Sequence, residues 1–91
     1  MPIHIVRSAT SRNDLASLAA EQFGDMVKAV VDAERRTLWG INLYPAERGE
    51  TWIEFDSVIN IRPSRGNRSR NVDDAGVRRA IREIVTALVR E

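Results

Sequence analysis

The chain has no cysteine, one histidine and one lysine, and only five of its 91 residues are aromatic. Without cysteine there is neither a disulfide framework nor a thiolate metal site. His4 alone gives a tetrahedral zinc no ordinary ligand set. No apolar run reaches the roughly 18 residues of a membrane span, and the opening MPIHIVRSATSR lacks the apolar stretch of a signal peptide. The expectation is a soluble cytoplasmic protein with no membrane partner. A strong charge of one sign is missing too: 14 basic residues face 13 acidic ones, for a net charge of +1. The isoelectric point of about 8.4 lies below the value above about 9 expected of a dedicated nucleic-acid module, so any nucleic-acid surface must be local.

With 43% hydrophobic and 30% charged residues the composition is that of a globular chain, and its length suits one domain over residues 1–91. Thirteen of the fourteen basic residues are arginine, Lys28 being the exception. A coding bias accounts for this as well as a need for planar, bidentate recognition of phosphate or carboxylate does.

Residues 2–7 read as a short strand. Ser11 and Asp14 have the spacing of a capping box, and Leu15, Leu18, Ala19 and Phe23 recur at helical spacing. A helix over 12–23 follows, stopped by Gly24, which accepts the left-handed conformation of a helix end. Residues 26–35 alternate, with Val27, Ala29, Val31 and Ala33 on one face. Residues 38–44 alternate with Trp39, Ile41 and Leu43 inward, and Arg35-Arg36-Thr37 is the short connection of an antiparallel hairpin. From Thr51 to Arg62 the alternation returns. It predicts a fourth strand, or two joined by a bend near Ser57-Val58, with Ile53, Phe55, Ser57, Ile59 and Ile61 facing the core. The opposite row holds Trp52, Glu54, Asp56, Val58, Asn60 and Arg62. Pro63 ends the run, lacking a ladder donor. Asp73 is the expected cap of a last helix whose stripe is Val77, Ile81, Ile84, Val85 and Leu88. The fold class is α+β in the order β-α-β-β-β-α: a mainly antiparallel sheet of three to four strands, with two helices on one face.

Three blocks, FGDMVKAVVD (23–32), LWGINLYP (38–45) and WIEFDSVINIRPSRGNRSR (52–70), carry a resemblance. The chain resembles a family of short prokaryotic proteins catalogued only as a domain of unknown function. Members of that family carry a longer loop, with histidine and acidic residues, where this chain has Arg35-Arg36-Thr37. The resemblance implies no activity.

The candidate sites cluster around the last block. Arg62, Arg65, Arg68 and Arg70 surround Pro63 and Gly66 with no acidic residue among them, and Asn67 and Ser69 add neutral hydrogen-bonding groups. Arginine forks and loop amides suit phosphate oxygens, which makes Arg65, Asn67, Arg68, Ser69 and Arg70 a candidate phosphate or anion site. Arg65 and Arg68 are its ligand-facing pair, and Arg62 is the structural one. The competing reading is an internal web in which these arginines pair with Glu54, Asp56, Asp73 and Asp74. An outer-face site of Trp52, Glu54, Asp56, Asn60 and Arg62 is the second candidate. There Glu54 and Asp56 could hold a magnesium ion with substrate phosphate or act as acid and base, and Trp52 could stack on a ring or anchor a dimer. No nucleophile, catalytic residue, metal set or cofactor motif is identified. Gly40 marks a close approach within its strand, and His4 reads as an edge-strand residue. Three functions remain open: a binding module for a phosphate-bearing ligand, nucleotide or RNA; a homo-oligomer joined through its outer sheet face; and a metal-assisted phosphate-handling enzyme.

Overall fold

The computed structural model describes residues 4–5, 10–34 and 37–90. Strand β1 (His4–Ile5) and strand β2 (Thr10–Ser11) precede helix α1 (Arg12–Gln22); strands β3 (Val27–Glu34) and β4 (Thr37–Leu43) follow. A 3-10 turn, Gly49–Trp52, leads into β5 (Ile53–Glu54), and the chain closes with helix α2 (Ala75–Leu88) and β6 (Val89–Arg90). The main sheet has the order β1-β3-β4-β5, and β2 and β6 form a separate parallel pair. The β3–β4–β5 part is antiparallel. Strand β1 pairs with β3 in parallel, which α1 permits by supplying the crossover that parallel neighbours require. The class is α+β, as the pattern predicts, with β1 and its His4 at an edge. The Arg35–Arg36 connection, expected to be shorter than in relatives, lies outside the described residues.

Helix α1 starts on the expected capping box. The Asp14 amide donates to Ser11 Oγ at 3.1 Å, and the Ser11 amide to the Asp14 carboxylate at 3.5 Å. At its end the Phe23 and Gly24 amides both donate to the Ala19 carbonyl, and Gly24 stands at φ +92°. The register pairs Val27 with Leu43, Ala29 with Ile41 and Val31 with Trp39. These six make one buried sheet face, which Leu15 and Ala19 of α1 and Ile81 and Val85 of α2 complete. Both helices therefore cover the same face.

The stretch from Thr51 to Arg62 is not a strand. Only Ile53 and Glu54 join the sheet, pairing with Leu43 and Asn42; single 3-10 turns follow at Val58–Asn60 and Pro63–Arg65. Trp52 ends a 3-10 turn rather than standing on an outer strand row, and its ring is buried beneath the Arg12 guanidinium at 4.2 Å. At the second turn the expected inside and outside exchange places. Asn60 is fully buried, whereas Ile59 and Ile61 are 37% and 43% exposed; Val58, on the row expected to face outward, is 62% exposed.

The backbone of β4 supplies the reason. Strand β5 pairs no further along β4 than Asn42, so Gly40 lacks a strand on that side. The Asn60 amide takes the position instead: Gly40 N–H donates to its Oδ1 at 2.7 Å, and its Nδ2 donates to the Gly40 carbonyl at 2.9 Å. An isoleucine offers neither group, and buried backbone must be paired. Gly40 is also where the crossing segment sits closest. A Cβ there would lie 2.4 Å from the Ser57 Cβ and Oγ.

Candidate functional site

Residues 55–74 form a loop organised by two buried asparagines. Besides Gly40, Asn60 Nδ2 reaches the Arg70 carbonyl at 2.9 Å, and that carbonyl also accepts from the Ser57 amide at 3.0 Å. Asn67 Nδ2 donates to the carbonyls of Asn60 and Asn71, each at 2.7 Å, and of Ser69 at 3.1 Å, while its Oδ1 accepts the Asp73 amide at 2.7 Å. Between the two, Arg62 and Asn67 exchange backbone hydrogen bonds across the Pro63–Arg65 turn, and Gly66 closes it at φ +81°. A positive φ is open to glycine at little cost. The result is a short arch whose base is pinned to the sheet and whose tip carries Ser64, Arg65 and Gly66 into solvent.

This scaffold uses several of the residues expected to face a ligand. Asn67 is 4% exposed, with its amide committed to the loop. The Ser69 hydroxyl donates to Asp73 Oδ1 at 2.8 Å and accepts from the Asn71 amide. Arg70 is held by Asp56, Nε to Oδ1, at 2.5 Å. Of the outer-face set, Trp52 and Asn60 are buried. Glu54 accepts from Asn42 Nδ2 at 2.8 Å and from the Tyr44 hydroxyl at 3.0 Å, and Asp56 is paired with Arg70. The Tyr44 hydroxyl is held above its ordinary pKa, first by burial, then by the bond to Glu54 and the neighbouring carboxylate charges. Among the described residues no group of three or more histidine, aspartate or glutamate side chains is placed to hold a metal ion.

Helix α2 is capped one residue later than expected. Asp74 Oδ1 accepts the Gly76 and Val77 amides at 2.7 and 3.1 Å. Asp73 instead closes the arginine loop, taking the Arg68 amide at 3.3 Å together with Ser69. Of the expected web of arginine–carboxylate pairs the described residues show one, Arg70 with Asp56; Asp73 binds the Arg68 amide and the Ser69 hydroxyl instead.

Three arginines stand outside that web. Arg65 and Arg68 are exposed, and neither guanidinium has a partner among the described residues. Arg62 lies over the Trp39 ring at 5.3 Å, within the reach of a cation–π contact. Its expected carboxylate partner is absent, because Asp56 belongs to Arg70. Two buried donors in this stack meet no acceptor among the described residues: Arg62 Nη1 and Trp39 Nε1. A buried donor without a partner costs about 1–3 kcal/mol.

Two clefts adjoin the stack and share Arg65 as a wall. One, of about 320 Å³, is lined by Thr37, Leu38, Arg62 and Arg65, with no carboxylate among the described residues. The other, of about 340 Å³, lies between the arch and the start of α2, with Trp39, Arg65, Asn67, Asp73, Asp74 and Val77 among its lining residues. Thr37, Leu38 and Trp39 are the site residues that sequence reasoning missed. Their alternation marks them as strand, and only the fold brings the start of β4 beneath the arginine arch.

No curated protein and no solved structure gives a significant match to the chain. Residues 33–88, more than half of the 91, match the family described as protein of unknown function DUF5674, and the chain belongs to that family.

Proposed function

We propose that the protein is a binding module for a phosphate-bearing ligand, a nucleotide or RNA, taken up by the arginine arch. One observation carries the reading. Arg62 and Arg65 line one cleft with no carboxylate among its described walls, and in the stack beside it Arg62 Nη1 is buried with no acceptor among the described residues. Phosphate oxygens are the acceptors that guanidinium forks fit best. Arg68 adds an unpaired charge from the same loop. The asparagine framework favours binding, because donors fixed in advance lose little freedom when a ligand arrives.

A thermal-shift series with inorganic phosphate and pyrophosphate tests the reading, since a ligand that binds only the folded state raises its melting temperature. The expected result is a concentration-dependent rise that Arg65→Ala/Arg68→Ala diminishes. No rise for either anion at millimolar concentrations would end it.

A second reading is self-association. Val58, Ile59 and Ile61 are exposed on the segment that crosses the outer sheet face, and clustered apolar exposure is a feature of interfaces. Trp52, buried, does not belong to that surface, which rests on these three residues alone. Light scattering that reports a monomer from micromolar to millimolar concentration would remove this reading.

A further inference from the structure

The clefts on the two sides of the Arg62–Trp39 stack differ in charge. The first is cationic, walled by Arg62 and Arg65. The second shares Arg65 but adds the carboxylates of Asp73 and Asp74 and the apolar side chains of Trp39 and Val77. Asp74 caps its helix with Oδ1 alone, leaving Oδ2 without a bond among the described residues. Trp39 is 5% exposed, and its Nε1 is buried without an acceptor among the described residues. The second cleft thus offers carboxylate acceptors and an apolar wall beside a buried indole, and its negative charge disfavours another phosphate.

We propose that the two clefts form one site for a nucleoside monophosphate. The phosphate lies against Arg62 and Arg65, and the nucleoside lies in the second cleft, with its N–H or O–H donors on the Asp73–Asp74 side. The proposal rests on the phosphate-binding reading and narrows it to a small ligand with one phosphate and a donor-bearing head. A polynucleotide is disfavoured because its next phosphate would approach Asp73 and Asp74, where like charges repel. Clefts of this size lie at the lower end of small-molecule sites.

Titration calorimetry on the full chain separates the possibilities with four probes: inorganic phosphate, AMP, GMP and a ten-nucleotide oligoribonucleotide. At least one monophosphate is expected to bind about tenfold tighter than inorganic phosphate, the factor that one charge-assisted hydrogen bond supplies. Asp74→Asn retains a capping oxygen, so Asp73→Asn/Asp74→Asn should fold; it is expected to reduce that preference and to strengthen oligonucleotide binding. In ¹H–¹⁵N spectra the Trp39 indole N–H signal is expected to move with the monophosphate; Trp52→Phe removes the other indole signal for assignment. Equal affinity for phosphate and both monophosphates would overturn the nucleoside site while leaving phosphate recognition standing. An oligonucleotide that binds tighter than the monophosphates, with a log–log salt slope steeper than about −2, would mean several phosphate contacts and would also overturn it. Binding that leaves the Trp39 signal unmoved places the ligand elsewhere and overturns it. No binding by any probe would overturn both this proposal and the reading beneath it.

Discussion

Between β3 and β4 the ladder pairs backbone with backbone, and apolar side chains supply the packing. In the loop from Phe55 to Asp74 the side chains satisfy the backbone. Asn60 and Asn67 together engage seven backbone groups, on Gly40, Asn60, Ser69, Arg70, Asn71 and Asp73. A loop held this way needs few buried apolar groups, so its remaining side chains are free to face solvent. The comparison separates two roles that share one stretch of sequence: the asparagines hold the arch, and Arg62, Arg65 and Arg68 are what it presents.

Breaking the framework should cost the most. Asn60→Ala strands both backbone groups of Gly40, at about 1–3 kcal/mol for each unsatisfied group, so urea unfolding is expected to show a loss of about 3 kcal/mol. Gly40→Ala attacks the same junction from the strand. The added Cβ meets Ser57, and overpacking of this kind costs about 1–3 kcal/mol. Combining it with Ser57→Gly should recover part of that loss, which would locate the clash. Asp74→Ala removes the cap of α2 and should cost about 1 kcal/mol. Arg70→Ala breaks a pair whose side chains are 48% and 45% exposed, worth no more than about 1 kcal/mol; urea midpoints rank these variants.

A pH measurement probes the rim of the sheet. Tyr44 is the single tyrosine, and its folded-state pKa is raised above 10.0. The folded protein therefore favours the neutral phenol. This contribution to stability is fully present below about pH 10 and is lost as the pH rises through the raised value. Spectrophotometric titration should give a midpoint above 10.0, and Glu54→Gln should bring it back towards that value.

The same contrast explains how much could be read from the amino acids. Periodicity places α1, β3, β4 and α2, because the apolar stripes there, and the capping box of α1, agree with what packing requires. In the loop, Ile59 and Ile61 continue an alternation that ought to point inward, and the structure turns them out. The deciding fact is a backbone vacancy at Gly40 beyond the end of β5, which no local pattern contains. Arginine at 62, 65, 68 and 70 is visible as a cluster. Which of them pairs depends on Asp56 reaching Arg70 across the loop, and the cleft depends on Trp39 arriving from β4. The capping aspartate moves by one residue for a related reason: Asp73 is already engaged by Ser69 and the Arg68 amide.

The separation of framework from recognition is most directly tested by one melting experiment on wild type and Arg65→Ala/Arg68→Ala, each with and without inorganic phosphate. The two guanidinium groups are exposed and have no partner among the described residues, and removing such groups changes stability by no more than about 0.5 kcal/mol. The account predicts nearly equal melting temperatures without phosphate, a rise with phosphate for wild type, and little or no rise for the variant. A large loss of melting temperature in the variant, with no response of wild type to phosphate, would contradict it and make the arginines part of the framework.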